Sequence, residues 1–197
     1  MYTINKKGHS EYTEKRSKFL GFCHHLDSTE QYKELINHYR SIYSDSSHVC
    51  GAYRLMKTNQ IIDFQSDDGE PKGTAGVPLL NSLKKEKLIN SAVVVIRYYG
   101  GTNLGVPGLI HAYATTAQDT IYSSKKIKWK VEKEIELIYA YSLNKSIEFI
   151  IKKFKGSVKS QSFDHEIKSK VLIDSELVRV FQEELIQRTS NQIIIKL

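Results

Sequence analysis

The strongest constraint on the fold is the segment 91–99, SAVVVIRYY, which is apolar at nearly every position. A strand with one solvent face alternates apolar and polar residues, so this run predicts a strand that is buried on both faces. The next nine residues, GGTNLGVPG, contain four glycines and a proline, and LIHAYATTAQDTIYSS follows as a predicted helix. The sequence therefore predicts a central strand that reverses sharply and opens a helix.

The preceding residues predict a mixed α/β domain. Strand patterns lie in YTINKKGHSEYTEK, FLGFCHHL, HVCGAYRLM and QIIDFQS, with a turn at 57–59 between the last two. The helix TEQYKELINHYRSIY is expected to begin after Asp27 or Ser28. Its predicted buried side consists of Tyr32, Leu35, Ile36, Tyr39 and Tyr43.

The last third of the chain has the element order βαββαβ. This order is typical of the ferredoxin-like split βαβ arrangement, in which two helices cover one face of a four-stranded antiparallel sheet. The other face is then free for a partner or for the neighbouring domain. We expect an α+β protein with two α/β-type domains, at residues 1–130 and 131–197, without a flexible linker between them.

Composition is that of an ordinary soluble globular protein, with 40% hydrophobic and 26% charged residues. The chain lacks an apolar run long enough for a membrane span, and its N-terminus lacks a signal-like segment, so we expect a cytoplasmic protein. Cys23 and Cys50 lie in apolar, strand-like runs, which predicts buried thiols in a reducing compartment rather than a disulfide.

The net charge of +7 favours an anionic partner, and the basic excess is concentrated in KKIKWKVEK. This segment has two interpretations: a connecting strand whose lysines face water, or a phosphate-contacting stripe with an aromatic platform. The candidate nucleic-acid contacts are Lys125, Lys126, Lys128, Trp129, Lys130 and Lys133.

The glycine loop also has two interpretations. Backbone N–H groups at a helix N-terminus attract anions, which permits a phosphate site. However, GGTNLGVPG matches neither nucleotide-binding fingerprint and lacks the phosphate-directed lysine. The other interpretation is a tight, closely packed connection, with Gly100 and Gly101 at positive φ and Pro107 at the first helical position.

The stretch SDDGEPKGTAGVPLL places Asp67, Asp68 and Glu70 within four residues. Such carboxylates can hold a hard cation, but the spacing matches no ordered cation motif, and Asp68-Gly69 is a common turn dipeptide. Thr74 is a candidate N-cap for the following helix. We expect neither a metal nor a cofactor here.

Histidine does not provide a convincing catalytic group. His24 and His25 are adjacent in a strand and point to opposite faces, so they do not bind one metal together. His48 and Cys50 share a strand face, but a nucleophilic pair also requires a hydrogen bond between them and a third, orienting group. We therefore assign no catalytic residue.

DDGEPKGTAGVPLL followed by VVVIRYYGGTNLGVPGLIHAY closely resembles the IMPACT family, in particular its bacterial YigZ-type members, as do RSKFLGF and SSHVCGAYRL. The resemblance implies an N-terminal domain like the second domain of a small-subunit ribosomal protein. It also implies a C-terminal domain like the last domain of elongation factor G. Both of these contact RNA or the ribosome.

The family resemblance implies a non-catalytic, translation-linked regulator that binds RNA, the ribosome or a protein partner in translation control. Eukaryotic members compete for a partner of a stress-responsive initiation-factor kinase, and bacterial members have been proposed to bind nucleic acid. The alternative is an enzyme or binding protein for a small phosphorylated ligand, since the implied fold is shared with small-molecule kinases. Its candidate site comprises Asp67, Asp68, Glu70, Thr74, Arg97, Gly100, Gly101, Gly105, Gly108 and His111.

Three residues depart from the family pattern. Ile96 stands where the family usually has threonine, Pro107 where it has glycine, and His111 where it has arginine. An arginine just after the glycine loop would be a natural anion clamp, whereas histidine is mostly neutral at pH 7. The resemblance therefore implies a weakened or differently built phosphate site.

Overall fold

The computed structural model describes residues 1–57 and 60–197, which form two compact units, Met1–Trp129 and Lys130–Leu197. The turn predicted at 57–59 includes residues outside this description. Within the described residues, no helix combines the length and the apolar character that a membrane crossing requires.

The first unit is built on a five-stranded antiparallel sheet of order β2-β3-β6-β4-β5, and β1 pairs with β7 in a separate two-stranded ribbon. Its elements are β1 (Tyr2–Lys6), β2 (Gly8–Glu14), β3 (Ser17–His25), α1 (Thr29–Ile42), β4 (His48–Lys57), β5 (Gln60–Ser66), α2 (Gly76–Lys85), β6 (Ser91–Tyr98), α3 (Gly105–Ser123) and β7 (Lys125–Lys128).

The central strand β6 is covered on both faces, as its sequence predicts. Val94 and Ile96 pack with Tyr39 of α1 on one face. Val93 and Val95 pack toward α2 and α3 on the other face, in one core with Leu79, Leu83 and Tyr113. Alternate side chains of a strand point to opposite faces, so an uninterrupted apolar run serves two helical layers at once.

The ends of the helices confirm one capping prediction and correct another. Ser28 caps α1, because its hydroxyl accepts a hydrogen bond from the N–H of Gln31. Pro107 was predicted at the first position of its helix, but α3 begins at Gly105 and Pro107 is the third residue. The third position also lacks an intrahelical acceptor for its N–H, so proline is tolerated there too.

The second unit contains β8 (Glu132–Tyr139), α4 (Asn144–Lys153), β9 (Ser157–Phe163), β10 (Ile167–Asp174), α5 (Val178–Arg188) and β11 (Ile193–Lys196). The antiparallel sheet has the order β11-β8-β10-β9, which is the predicted ferredoxin-like arrangement. Both helices pack on one face, around a core that includes Tyr139, Ile147 and Phe181. The likeness of the two units to a ribosomal-protein domain and to an elongation-factor domain stays a prediction.

The opposite face of the second sheet carries paired charges. Glu134 lies 2.8 Å from Lys159 and 3.4 Å from Lys170, and Glu136 lies 3.1 Å from Lys196. Exposed ion pairs of this kind contribute little to stability but keep a sheet face solvated.

Both cysteines are free and buried, as the sequence predicts. Burial raises the pKa of the Cys23 thiol to about 12, so this thiol is protonated at neutral pH.

His24 makes the first unit sensitive to acid. Its Nε2 lies 2.7 Å from the hydroxyl of Tyr39, and burial, with Lys7 and His38 adding to it, lowers the pKa of the imidazole to about 4. In the unfolded chain a histidine pKa lies near 6.5. Between these two values the unfolded state binds more protons, so the free energy of unfolding must fall as the pH is lowered from about 6.5 towards 4.

We predict that His24→Gln reduces this pH dependence. Unfolding in urea can be followed by the fluorescence of Trp129, which lies in the first unit. Between pH 7 and pH 4.5, the urea midpoint should decrease less in the variant than in the native chain. His111→Gln is the control, because His111 is exposed on α3. Equal pH slopes for the native chain and His24→Gln would contradict the assignment.

Candidate functional site

The two sequence motifs meet in a buried ion pair. Glu70, in the turn after β5, and Arg97, near the end of β6, are only 7% and 5% exposed. Oε1 of Glu70 accepts hydrogen bonds from Nη1 of Arg97 at 2.7 Å and from the hydroxyl of Tyr113 in α3 at 2.8 Å. One carboxylate oxygen thus joins the turn, the central strand and the helix after the glycine loop.

Ser17 completes this group, which we call the ionic cluster: Glu70, Arg97, Tyr113 and Ser17. The Ser17 hydroxyl oxygen accepts from Nη2 of Arg97 at 3.4 Å and from the N–H of Gly100 at 3.1 Å. Ser17 was not among the predicted site residues, although it lies in the stretch RSKFLGF that carries part of the family resemblance. Because Arg97 is already paired with Glu70, its guanidinium is not a free anion clamp.

Asp67 organises the start of α2. Its carboxylate accepts from the N–H groups of Gly73, Ala75 and Gly76 at 2.8–3.0 Å. Burial raises the pKa of Asp67, but these three hydrogen bonds outweigh it and hold the pKa below its usual value. The prediction that Thr74 caps this helix is wrong: Ala75 is the N-cap residue, and the hydroxyl of Thr74 donates to the carbonyl of Pro71.

The three neighbouring carboxylates do not converge on one point. Asp68 accepts from the N–H of Val49 at 2.6 Å and forms an ion pair with Arg40, whereas Glu70 points to Arg97. Across residues 1–57 and 60–197 there is no group of three His, Cys, Asp or Glu side chains that could hold a metal ion. Each carboxylate therefore has a structural partner of its own.

Cys50 and His48 face different partners. The Cys50 thiol donates to the carbonyl of Asp67 at 3.0 Å and lies 3.3 Å from the hydroxyl of Tyr113. Nδ1 of His48 bonds to the carbonyl of Asp68 at 2.8 Å, and Nε2 lies 3.9 Å from Oε1 of Glu70. Burial raises the pKa of Cys50, which is the opposite of the shift that a nucleophilic thiol needs.

The glycine loop is closely packed at its start. A Cβ on Gly100 would lie 2.1 Å from the carbonyl carbon of Arg16, so only glycine fits against that backbone. Of the two glycines predicted at positive φ, Gly101 adopts it and Gly100 does not. Gly105 also has a positive φ, and Gly108 packs near Leu104. His111 is exposed in the second turn of α3, and its ring lies 6.3 Å from that of Tyr12 in an edge contact. The geometry favours the tight-connection interpretation over a phosphate cradle.

The predicted lysine stripe divides between the two units. Lys125, Lys126 and Lys128 belong to β7, and the N–H of Trp129 donates to the carbonyl of Met1 in the same unit. Lys130 and Lys133 belong to the second unit, where Lys130 pairs with Asp174 at 2.8 Å. The stripe predicted from sequence is therefore not one continuous surface within a single unit.

Strand pairing instead creates a different basic surface, which we call the basic ribbon: β1, Lys7 and β7. Lys6 is paired with Lys125 in the β1–β7 register, just after an irregularity between Ile4 and Lys6, and both side chains are exposed. Lys7 and Lys128 are exposed too, whereas Lys126 is held by Glu86 at 2.7 Å. Sequence reasoning missed Lys6 and Lys7 because only the pairing of distant strands brings them to β7.

Comparison with known proteins identifies relatives of the whole chain. Residues 15–121 match the family model of the Impact N-terminal domain. The IMPACT family member YvyE of Bacillus subtilis is 27% identical over 195 residues, which cover 99% of this chain and 89% of that protein. The IMPACT family member YigZ of Escherichia coli is 29% identical over 87% of this chain and 84% of its own. The crystal structure of a hypothetical protein aligns with a TM-score of 0.69 and 25% identity, over 98% of this chain and 95% of the other.

Removing Glu70 should destabilise the first unit strongly, because Arg97 would remain buried without its counter-ion. We predict that Glu70→Leu lowers the free energy of unfolding by about 3–5 kcal/mol. The double variant Glu70→Leu with Arg97→Met should recover part of this loss, since it buries no unpaired charge. A double-mutant cycle from urea unfolding measures the coupling, and strictly additive losses would contradict a direct ion pair.

Gly100→Ala should also destabilise the protein, because the new methyl group overlaps the backbone of Arg16. Forced overpacking of this kind costs about 1–3 kcal/mol. Gly101→Asn measures backbone strain without overlap: a Cβ there has no atom within 4 Å, and asparagine adopts its φ of +79° more readily than most other residues. Similar midpoints of thermal unfolding for the native chain and Gly100→Ala would argue against close packing at this position.

Proposed function

We propose that this protein, which belongs to the IMPACT family, is a non-catalytic, translation-linked regulator that contacts RNA or the ribosome through the basic ribbon. Family membership supports the link to translation, since eukaryotic members regulate translation. The proposed site of action is the cytoplasm, where ribosomes are found.

The cross-strand pair Lys6 and Lys125 carries the proposal. Two exposed lysines on paired strands repel each other, so this arrangement is unfavourable in the protein alone, even beside the irregularity between Ile4 and Lys6. A polyanion bound along the ribbon neutralises both ammonium groups and releases its own counterions. The ribbon thus has a charge pattern that a phosphate backbone would complete.

Aromatic side chains lie beside two other lysines of the ribbon, Lys126 and Lys128. Tyr2 is 45% exposed and stands opposite Lys128, and Tyr122 is 61% exposed with the ammonium of Lys126 5.8 Å from its ring centre. Bases of single-stranded RNA stack on exposed aromatic rings without regard to sequence. The combination of lysines and tyrosines favours single-stranded RNA over duplex as the ligand.

The ionic cluster supports the non-catalytic part of the proposal. Glu70, Arg97 and Tyr113 are buried and are bonded to one another, and Asp67 is occupied by the start of α2. A general acid or base must reach a substrate proton, which these enclosed groups do not do. A small phosphorylated ligand at the glycine loop loses its anchor for the same reason, because Arg97 is already neutralised.

We predict that Lys6→Gln with Lys125→Gln weakens RNA binding and makes it less sensitive to salt. In anisotropy titrations with a labelled single-stranded RNA, the slope of log K against log salt should fall by about 0.7 for each lysine removed. The same variant should resist urea better than the native chain, because the repulsion between the two lysines is gone.

Lys145→Gln is the control, since Lys145 is an exposed lysine of α4 in the second unit. It should leave both the affinity and the salt slope unchanged. Absence of RNA binding by the native chain at low salt, or equal slopes for the native chain and the double variant, would exclude the basic ribbon as an RNA site.

A further inference from the structure

The two edge strands of the five-stranded sheet, β2 and β5, differ in whether another element covers them. At the β2 edge, α3 covers the strand: the N–H of His9 donates to Ser123 at 2.9 Å, and Ser10 bonds to Thr120 at 2.6 Å. At the other edge, β5 pairs with β4 on its inner side and ends the sheet. An edge strand presents a row of backbone N–H and C=O groups to the outside.

Among the described residues, the β5 edge lacks the usual devices that prevent pairing with another chain. Its sequence QIIDFQS has no lysine and no proline, and its register with β4 runs without a bulge. Its only charge, Asp63, is tied back to Arg54 and Lys84, each at 3.0 Å. Ile61, Ile62 and Phe64 are 38–40% exposed. Proteins normally guard such an edge with charges, proline or bulges, so an unguarded apolar edge indicates a place where a strand can be added.

An aromatic groove lies beside this edge. Phe64 stacks on Tyr53 with ring centres 5.0 Å apart, and Tyr32 of α1 meets both rings at 4.8–5.4 Å. Between these rings and α1 is a cavity of about 380 Å³, which Ile36 and Val49 also line. A groove of this size accepts one large apolar side chain from a strand that pairs with β5.

The charge of the groove indicates what kind of strand it accepts. Its lining contains two cations, Lys33 and Arg40, and within the described residues it contains no carboxylate. Arg40 is already paired with Asp68, so the positive charge available to a ligand comes mainly from Lys33. A second, smaller cavity at the Ile62 end includes two carboxylates, Asp27 and Glu30, and one cation, Lys57. An acidic side chain is therefore favoured only near Phe64. The positive charge of Lys33 beside Phe64 favours a partner segment that carries a carboxylate at that position.

We propose that the β5 edge and its aromatic groove bind an extended acidic segment of a partner protein by strand addition. Backbone hydrogen bonds to β5 supply the affinity, a large apolar side chain enters the groove beside Phe64, and a neighbouring carboxylate meets Lys33. This interaction is independent of the basic ribbon and of whether RNA is a ligand.

The probe is a short labelled peptide that alternates valine and threonine around one phenylalanine followed by glutamates. We expect saturable binding by fluorescence anisotropy, and protection of the β5 amides from hydrogen exchange with no change in β1 or β7. The same peptide with lysine in place of glutamate should bind at least about tenfold more weakly, a difference of about 1.4 kcal/mol. N-methylation of the alternate peptide amides that face β5 should abolish binding, whereas methylation of the other amides should not.

Three protein variants locate the site. Phe64→Ala should weaken binding of the acidic peptide. Phe149→Ala, which removes an exposed phenylalanine of α4, should leave this binding unchanged. Lys33→Glu should reverse the preference towards the basic peptide, a result that a folding defect would not produce. Lys6→Gln with Lys125→Gln should leave peptide binding intact, and Phe64→Ala should leave RNA binding intact, so the two proposals fail separately.

Several results would overturn the proposal. One is that the acidic peptide does not bind at millimolar concentration. Another is that the acidic and basic peptides bind equally well, and a third is that methylation of the peptide backbone does not change binding. Concentration-dependent dimerisation that Phe64→Ala abolishes would show instead that the edge binds a second copy of this chain. Competition by RNA that Phe64→Ala relieves would assign the groove to nucleic acid.

Discussion

The buried ion pair between Glu70 and Arg97 holds the first unit together at its most constrained point. Burying two charges is costly unless hydrogen bonds compensate, and here Tyr113 and Ser17 provide additional bonds. Only Nε of Arg97 has no hydrogen-bond partner among the described residues of this cluster. Because these four residues come from a turn, the central strand, α3 and β3, the pair fixes the relative positions of all of these elements. The glycine loop then has one path, against the backbone beside Ser17.

This arrangement explains why the carboxylates and glycines of the two motifs have structural roles. Asp67 accepts hydrogen bonds from the start of α2, and Asp68 bonds to β4 and to Arg40. Glu70 is paired with Arg97. Groups so fully used are poor candidates for binding a small ligand. Function is therefore better sought on surfaces where polar or apolar groups lack protein partners, and the basic ribbon and the β5 edge are two such surfaces in the described part of the chain.

Local patterns predicted most of the secondary structure correctly. The apolar run of β6, the Ser28 cap of α1 and the βαββαβ order of the second unit all follow from residues that are neighbours in the chain. The errors concern residues whose hydrogen-bond partners are competed for by groups farther away in the chain. Thr74 has the right residue type for a helix cap, but Asp67 reaches the same N–H groups from the preceding turn and displaces it.

The sequence by itself determined the element order, the double burial of β6 and, through its motifs, membership of the IMPACT family. It also identified Glu70 and Arg97 as important, but not as partners. Only the tertiary structure decided that Glu70 meets Arg97, that Lys6 faces Lys125 and that β5 ends its sheet. The physical reason is that strand register and turn closure, rather than spacing along the chain, bring distant residues within hydrogen-bonding or Coulombic reach.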